Sequence, residues 1–122
     1  MPATLAAIAS NTVKKGDVVT VARVAGIMAA KRTFDLVPLC HSIPLTDVQV
    51  TVSSDDALPG LRVEATVRTV GKTGVEMEAL TAAAVTLITV YDMAKGLDKG
   101  MVISDVRLEE KRGGRSGHWR RK

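Results

Sequence analysis

Asp92 and Lys95 stand three residues apart, just past a run from Ala79 to Tyr91 that carries no charge. On a helix that spacing makes them neighbours on one face. An ion pair emerging from so apolar a stretch is expected to be partly desolvated, which moves both titrations and suits acid–base work. The ordinary alternative is a salt bridge at a helix end, where a lysine is favoured by the macrodipole. Glu76 and Glu78 lie upstream, in the run Lys72-Thr73-Gly74-Val75-Glu76-Met77-Glu78. In extended chain both carboxylates point to one face and could bind the amino and ring N–H groups of a purine or pterin; on a helix they diverge by about 200°. Two acidic residues there are also what a helix N-terminus favours without any ligand.

Leu39-Cys40-His41 lies between Pro38 and Pro44, which restrict the backbone and would hold the imidazole in a set direction. Such a histidine can move a proton or bind an anion near neutral pH, or be a half-buried loop residue. Adjacent Cys and His with no second pair at ligand spacing do not make a zinc site, so no metal site is expected. Lys14, Lys15, Lys31, Arg32 and Lys111 are candidate phosphate contacts, and equally could be solvated charges. The run Gly71-Lys72-Thr73-Gly74 lacks the upstream glycine and the spacing of a P-loop, which argues against an NTPase of that class.

The elements that must position these residues follow from periodicity. Thr4 can cap a short helix to about Ser10, and Asp17 a second, in which Val18, Val21, Ala22, Ala25, Met28 and Ala29 recur at helical spacing to near Arg32 or Thr33. Phe34 to Pro44 is expected to be an irregular connector. Val48, Val50 and Val52, then Leu61, Val63, Ala65 and Val67, alternate with polar residues as two antiparallel strands joined by a loop from Ser53 through Gly60. Gly71 and Gly74 end the second strand. A helix from about Glu78 to Lys95, apolar nearly all round, should be covered on more than one face, and Gly96 fits its end. Met101 to Leu108 reads as another strand, before Gly113, Gly114 and Gly117 loosen the tail.

A chain of 122 residues is expected to form a single domain, residues 1–122. Phe34, Tyr91 and Trp119 are its only aromatic residues, so the core must be aliphatic and thin, with surplus apolar surface that oligomerisation would bury. The lone Cys40 cannot form an intrachain disulfide, and with no signal-peptide pattern the expected location is cytoplasmic. The uncharged run of about 13 residues is short of the roughly 20 a bilayer needs, so no membrane span is expected. The formal charge of +4 is concentrated in a tail holding Lys111, Arg112, Arg115, Arg120, Arg121 and Lys122. That suits anions, but without aromatic platforms for stacking bases nucleic acid is the weaker expectation and a small phosphorylated ligand the stronger.

The runs Lys15-Gly16-Asp17, ARVAGIMAAKRT from Ala22 to Thr33, DLVPLCH from Asp35 to His41, KTGVEMEALT from Lys72 to Thr81, YDMAK from Tyr91 to Lys95 and GGRSG from Gly113 to Gly117 resemble the signature stretches of the cyclic pyranopterin monophosphate synthase family, in order and at the expected separations. The resemblance, from Lys15 to Trp119, implies a lyase of molybdenum cofactor biosynthesis. In that reaction (8S)-3',8-cyclo-7,8-dihydroguanosine 5'-triphosphate is rearranged to cyclic pyranopterin monophosphate and pyrophosphate. It implies no required metal or organic cofactor, though magnesium can accompany the substrate phosphates, and a hexamer built as a trimer of dimers with active sites at subunit interfaces. Carried over by position, Asp92 matches the catalytic aspartate, and Lys95 and Lys15 match lysines with acid–base or phosphate roles. Leu39, Cys40, His41, Met77 and Glu78 match substrate-binding positions, and Glu76 and Lys111 are expected to face the same pocket.

Element order and resemblance together give α+β as the expected fold class, an antiparallel sheet with helices packed on one face in the ferredoxin-like manner. Members of the family usually begin with a further segment, of the Met-Val-Asp-Val-Ser type with basic residues, and this sequence starts just upstream of Lys15 without it. The competing expectations are an inactive family member with a structural, oligomeric role, and a basic module that binds nucleic acid through its tail.

Overall fold

The computed structural model describes residues 2–70, 74–113 and 117–122. Helix α1 spans Pro2–Ala9, α2 Val18–Lys31 and the one-turn α3 Thr33–Leu36. Strands β1 (Asp47–Asp55) and β2 (Gly60–Arg68) precede the long helix α4 (Glu76–Ala94), and the two-residue strands β3 (Glu110–Lys111) and β4 (Trp119–Arg120) close the order.

Asp17 caps α2 as its sequence position predicts: its carboxylate accepts the Thr20 amide at 3.1 Å and the Thr20 hydroxyl at 2.7 Å. The first helix differs from expectation. It starts at Pro2, where a proline costs no hydrogen bond, and Thr4 is buried inside it rather than capping it. The connector is less irregular than its prolines suggest, since Thr33 turns back to bond the Ala29 and Ala30 carbonyls at 3.1 and 3.0 Å and opens α3.

β1 and β2 pair antiparallel from Asp47 opposite Arg68 to Asp55 opposite Gly60. The ladder runs beyond Val52 into the segment read as loop, leaving residues 56–59 as the turn. Asp55 fixes that turn by accepting the Ala57 amide at 2.9 Å and pairing with Arg62 at 2.7 Å. Beneath the hairpin, Val48, Val63, Ala65 and Val67 pack against Ala30, Val50 and Ala82, which places α2 and α4 on one face of the sheet. A second cluster of Ile8, Val13, Val18, Ala22, Val90, Met93 and Ala94 joins α1 to the first turn of α2 and the last turns of α4. Both clusters are aliphatic, as the scarcity of aromatics requires.

The two helices approach closely at Gly26, where an added Cβ would meet the Thr86 hydroxyl and lie 2.9 Å from the Ala82 carbonyl. α4 begins two residues earlier than expected, so Glu76 belongs to its first turn. It is also long and apolar enough, by length and composition alone, to pass as a membrane span, a test that core helices of soluble proteins meet too. Here it packs against α2 and against β2, and its outward residue Ile88 is 56% exposed.

Met101 to Leu108 forms no strand. Among the described residues its main chain has no ladder partner, Asp105 leaves β geometry at φ 62°, and a cleft separates the segment from β2. The tail, expected to be loose, carries the small β3–β4 ladder, with Gly113 and Gly117 supplying the positive φ values of 79° and 65° at its turn. Gly114 and Arg115 lie outside the described residues, as do Gly71, Lys72 and Thr73. The fold is α+β, an antiparallel sheet with helices packed on it, compatible with a ferredoxin-like arrangement.

Candidate active site

Lys15, from the turn before α2, reaches Asp92 on the last turn of α4 across 77 positions of sequence. Its ammonium donates to the Asp92 main-chain oxygen at 3.0 Å and to Oδ2 at 3.3 Å, while Lys95 Nζ stands 3.0 Å from Oδ1. One carboxylate thus holds two ammonium groups, one on each oxygen. The main-chain carbonyl is also available because the last carbonyls of a helix have no partner within it. The expected desolvation is absent: the side chains of Lys15, Asp92 and Lys95 are 50%, 56% and 50% exposed. The Asp92 carboxyl is nevertheless held below its ordinary value, chiefly by the hydrogen bond from Lys95, then by that from Lys15 and by the two positive charges. It remains an ionised acceptor, and the ammonium groups beside it are open to an anion or a proton acceptor.

A second cluster sits at the other end of α4. Glu78 is buried, 3% exposed, and accepts the Cys40 thiol at 3.5 Å, which docks the connector on the helix N-terminus. Partial burial pushes the thiol above its ordinary value, and the Glu78 charge adds to this, so Cys40 is a neutral donor rather than a nucleophile. Glu76 diverges from Glu78, as a helix demands, and Glu76 Oε1 meets Lys111 at 3.5 Å. Glu76 Oε2 is buried without a hydrogen-bond partner among the described residues. Gly74 was legible only as a strand breaker. The structure shows that a Cβ there would fall 2.5 Å from Glu76 Oε2 and 2.8 Å from Lys111 Cε, so the Glu76–Lys111 contact needs a glycine.

Leu39 and His41 flank Cys40 with exposed side chains, Leu39 at 92%, and Met77 is exposed on the outer side of α4. Among the described residues these three side chains make no hydrogen bond or ion pair. The basic tail is largely tied down: Arg112, His118 and Arg120 surround Glu110 at 3.1, 3.5 and 3.8 Å, and Arg121 lies over the Trp119 ring at 5.5 Å. Among the described residues no three His, Cys, Asp or Glu side chains are grouped to hold a metal ion.

Glu78 and Asp92 are fourteen residues apart on one helix, roughly 21 Å at about 1.5 Å per residue. The expected site residues therefore assemble as two clusters at opposite ends of α4. An acid–base group must lie within about 3 Å of the proton it moves, so one small substrate cannot engage both ends of the same chain. One end is cationic and the other acidic.

Comparison with known families matches residues 1–114 to the MoaC family. With that match over most of the chain, and the residues quoted above at both ends of α4, the chain belongs to the MoaC family, that of the cyclic pyranopterin monophosphate synthases, and its role lies in molybdenum cofactor biosynthesis.

Proposed function

We propose that the chain is a phosphorus–oxygen lyase converting (8S)-3',8-cyclo-7,8-dihydroguanosine 5'-triphosphate to cyclic pyranopterin monophosphate and pyrophosphate, working in the cytoplasm without a resident cofactor. The observation that carries this reading is the Lys15–Asp92–Lys95 constellation, an ionised carboxylate gripping two accessible ammonium groups brought together from distant segments. Asp92 fixes the direction of both. Lys95 transfers the proton as the purine-derived ring opens and recloses, and Lys15 meets the negative charge of the phosphates. The cyclic phosphate closes when a substrate hydroxyl attacks the α-phosphorus and the bond to pyrophosphate breaks. Magnesium, where present, travels with those phosphates.

The acidic end supplies recognition. Glu76 Oε2, without a hydrogen-bond partner among the described residues, is suited to an amino or ring N–H group of the base, and Glu78 seats the Cys40 segment beside it. Leu39, Cys40, His41 and Met77 border this face, and Lys111 pairs with Glu76. Since the two ends are roughly 21 Å apart in one chain, the working site joins the Asp92 end of one copy to the Glu78 end of another. The exposed apolar side chains Val21, Val24 and Met28, along one side of α2, give such copies a surface to bury. A hexamer made of dimers is the assembly this reading favours.

The test is incubation with the cyclised triphosphate, following pyrophosphate and the pterin product together. Appearance of both supports the reading. An oligomeric, folded protein that yields neither supports instead a family member kept for a structural role. Mixing Asp92→Asn with Glu78→Gln protein addresses the shared site: if each site takes one end from each of two copies, random mixing restores about a quarter of the sites. No recovery after the subunits are shown to exchange would place both ends in one chain's site and overturn the two-copy arrangement.

A further inference from the structure

Trp119 is the only tryptophan in the sequence, and its side chain stands 41% exposed. A large ring left in water forfeits the burial that would otherwise stabilise the fold. The β3–β4 ribbon that carries it has two unlike faces. Glu110 lies opposite Arg120, and Lys111 opposite Trp119. Residues directly opposite on antiparallel strands share a face, with Cβ atoms about 5 Å apart, and successive residues alternate between faces. One face therefore holds Glu110, Arg112, His118 and Arg120, ionic groups gathered at 3.1 to 3.8 Å around the Glu110 carboxylate. The other holds Lys111, Trp119 and Arg121.

This second face is turned to the first turn of α4, because Lys111 Nζ stands 3.5 Å from Glu76 Oε1. Arg121 covers one side of the indole, its guanidinium 5.5 Å from the ring centre. That arginine is itself held: its Nε donates to the Leu108 carbonyl at 2.8 Å and its main-chain N–H to the Glu109 carbonyl at 2.7 Å. With a tethered cation on one side of the ring, the surface left open belongs to the other side. The groups beside that surface are polar: Lys111, and Glu76 with an Oε2 that is buried without a hydrogen-bond partner among the described residues. A flat heterocycle with N–H groups along one edge satisfies both features, its face on the indole and its edge on the carboxylate.

We propose that Trp119 is the stacking platform for the base of the substrate, a fused two-ring guanine or pterin system, and that Arg121 is the positioning residue that holds the indole for it. This rests on the reading of the acidic end of α4 as the end that recognises the base. One ring cannot follow a strand of bases, but a single base needs only one.

As the sole tryptophan, Trp119 reports its own contacts by fluorescence. Guanosine 5'-triphosphate added to the full chain, with excitation at the red edge of the indole band, should quench the emission, whereas inorganic triphosphate should bind without quenching. By calorimetry, Trp119→Leu should weaken binding of the nucleotide about tenfold or more and leave that of inorganic triphosphate unchanged, and Trp119→Phe should recover most of the loss. With the cyclised triphosphate as substrate, Trp119→Leu should raise KM and leave kcat little changed, as loss of an interaction made equally in ground and transition states does. Absence of quenching by the nucleotide, or an equal loss of affinity for nucleotide and inorganic triphosphate in Trp119→Leu, would overturn the platform while turnover by the unaltered protein kept the proposed reaction standing. Quenching without any turnover would do the reverse. Emission that moves to the blue as protein concentration rises, and does not respond to the nucleotide, would also overturn the platform by showing that a second copy of this chain covers the ring.

Discussion

Asp92 is the residue on which the electrostatics of the Lys15–Asp92–Lys95 cluster turn. Its carboxyl is held below 3.8 by two ammonium partners, so its titration followed by NMR should have a midpoint under that value, and Lys95→Met should move it upward more than Lys15→Met does. The sign for stability follows. A carboxylate whose folded value is depressed stabilises the fold at pH above its unfolded value, and that contribution is lost as pH falls through the depressed one. The window is therefore acid, below about 3.8, and neutral-pH stability should be indifferent to small pH changes at this site. Asp92→Asn keeps the shape and removes the charge; it should lower turnover by about 10²-fold or more, as loss of a group that positions a proton-transferring residue does. Unchanged turnover would remove Asp92 from the mechanism. At the other end of α4, Cys40 should alkylate slowly at pH 8, and Glu78→Gln should shift the rate–pH profile downward, though not fully, because partial burial is the larger cause of the raised thiol value.

α4 matters less as an isolated helix than as a beam that carries one cluster at each end. Its seating on α2 depends on small residues, with Gly26 facing Ala82 and Thr86 where no Cβ fits. Gly26→Ala gains helix propensity, about 1 kcal/mol, but forces two helices apart at a backbone carbonyl that cannot swing away. The net effect should be a loss of roughly 1–2 kcal/mol, visible as a lower midpoint in thermal or urea unfolding. Gly74→Ala should behave otherwise. The atoms it meets are the ends of Glu76 and Lys111, which can move, so stability should change little while substrate affinity falls. These elements were largely legible in the sequence: the Asp17 cap, the valine alternation of the hairpin and the helical repeat of α2 are local signals. Met101–Leu108 has the composition of a strand and, among the described residues, no ladder partner, and composition carries no information on whether an edge is within reach.

At the scale of the whole molecule, the two clusters roughly 21 Å apart make a functional monomer an unpromising unit. Light scattering on the purified protein should show an assembly larger than one chain. Met28→Lys, placed on the exposed side of α2, should weaken that assembly and turnover together while the subunit stays folded. Loss of turnover without loss of assembly would mean that the apolar stripe of α2 does not form the contact that completes the site.

The sequence by itself determined the α+β class, the aliphatic core and the membership of Asp92, Lys95, Lys15, Cys40 and Glu78 in one family pattern, because these depend on residue type and on spacing along the chain. It left open whether Glu76 and Glu78 share a face; the start of α4 at Glu76 decided that they diverge, one to Lys111 and one to Cys40. It paired Asp92 with Lys95, three residues away, and could not reach Lys15, since a contact across 77 positions exists only once α4 has packed beside the turn before α2. Separation of the candidate residues into two ends was likewise decided by tertiary structure alone, because distances between segments are set by packing rather than by any residue's own preference.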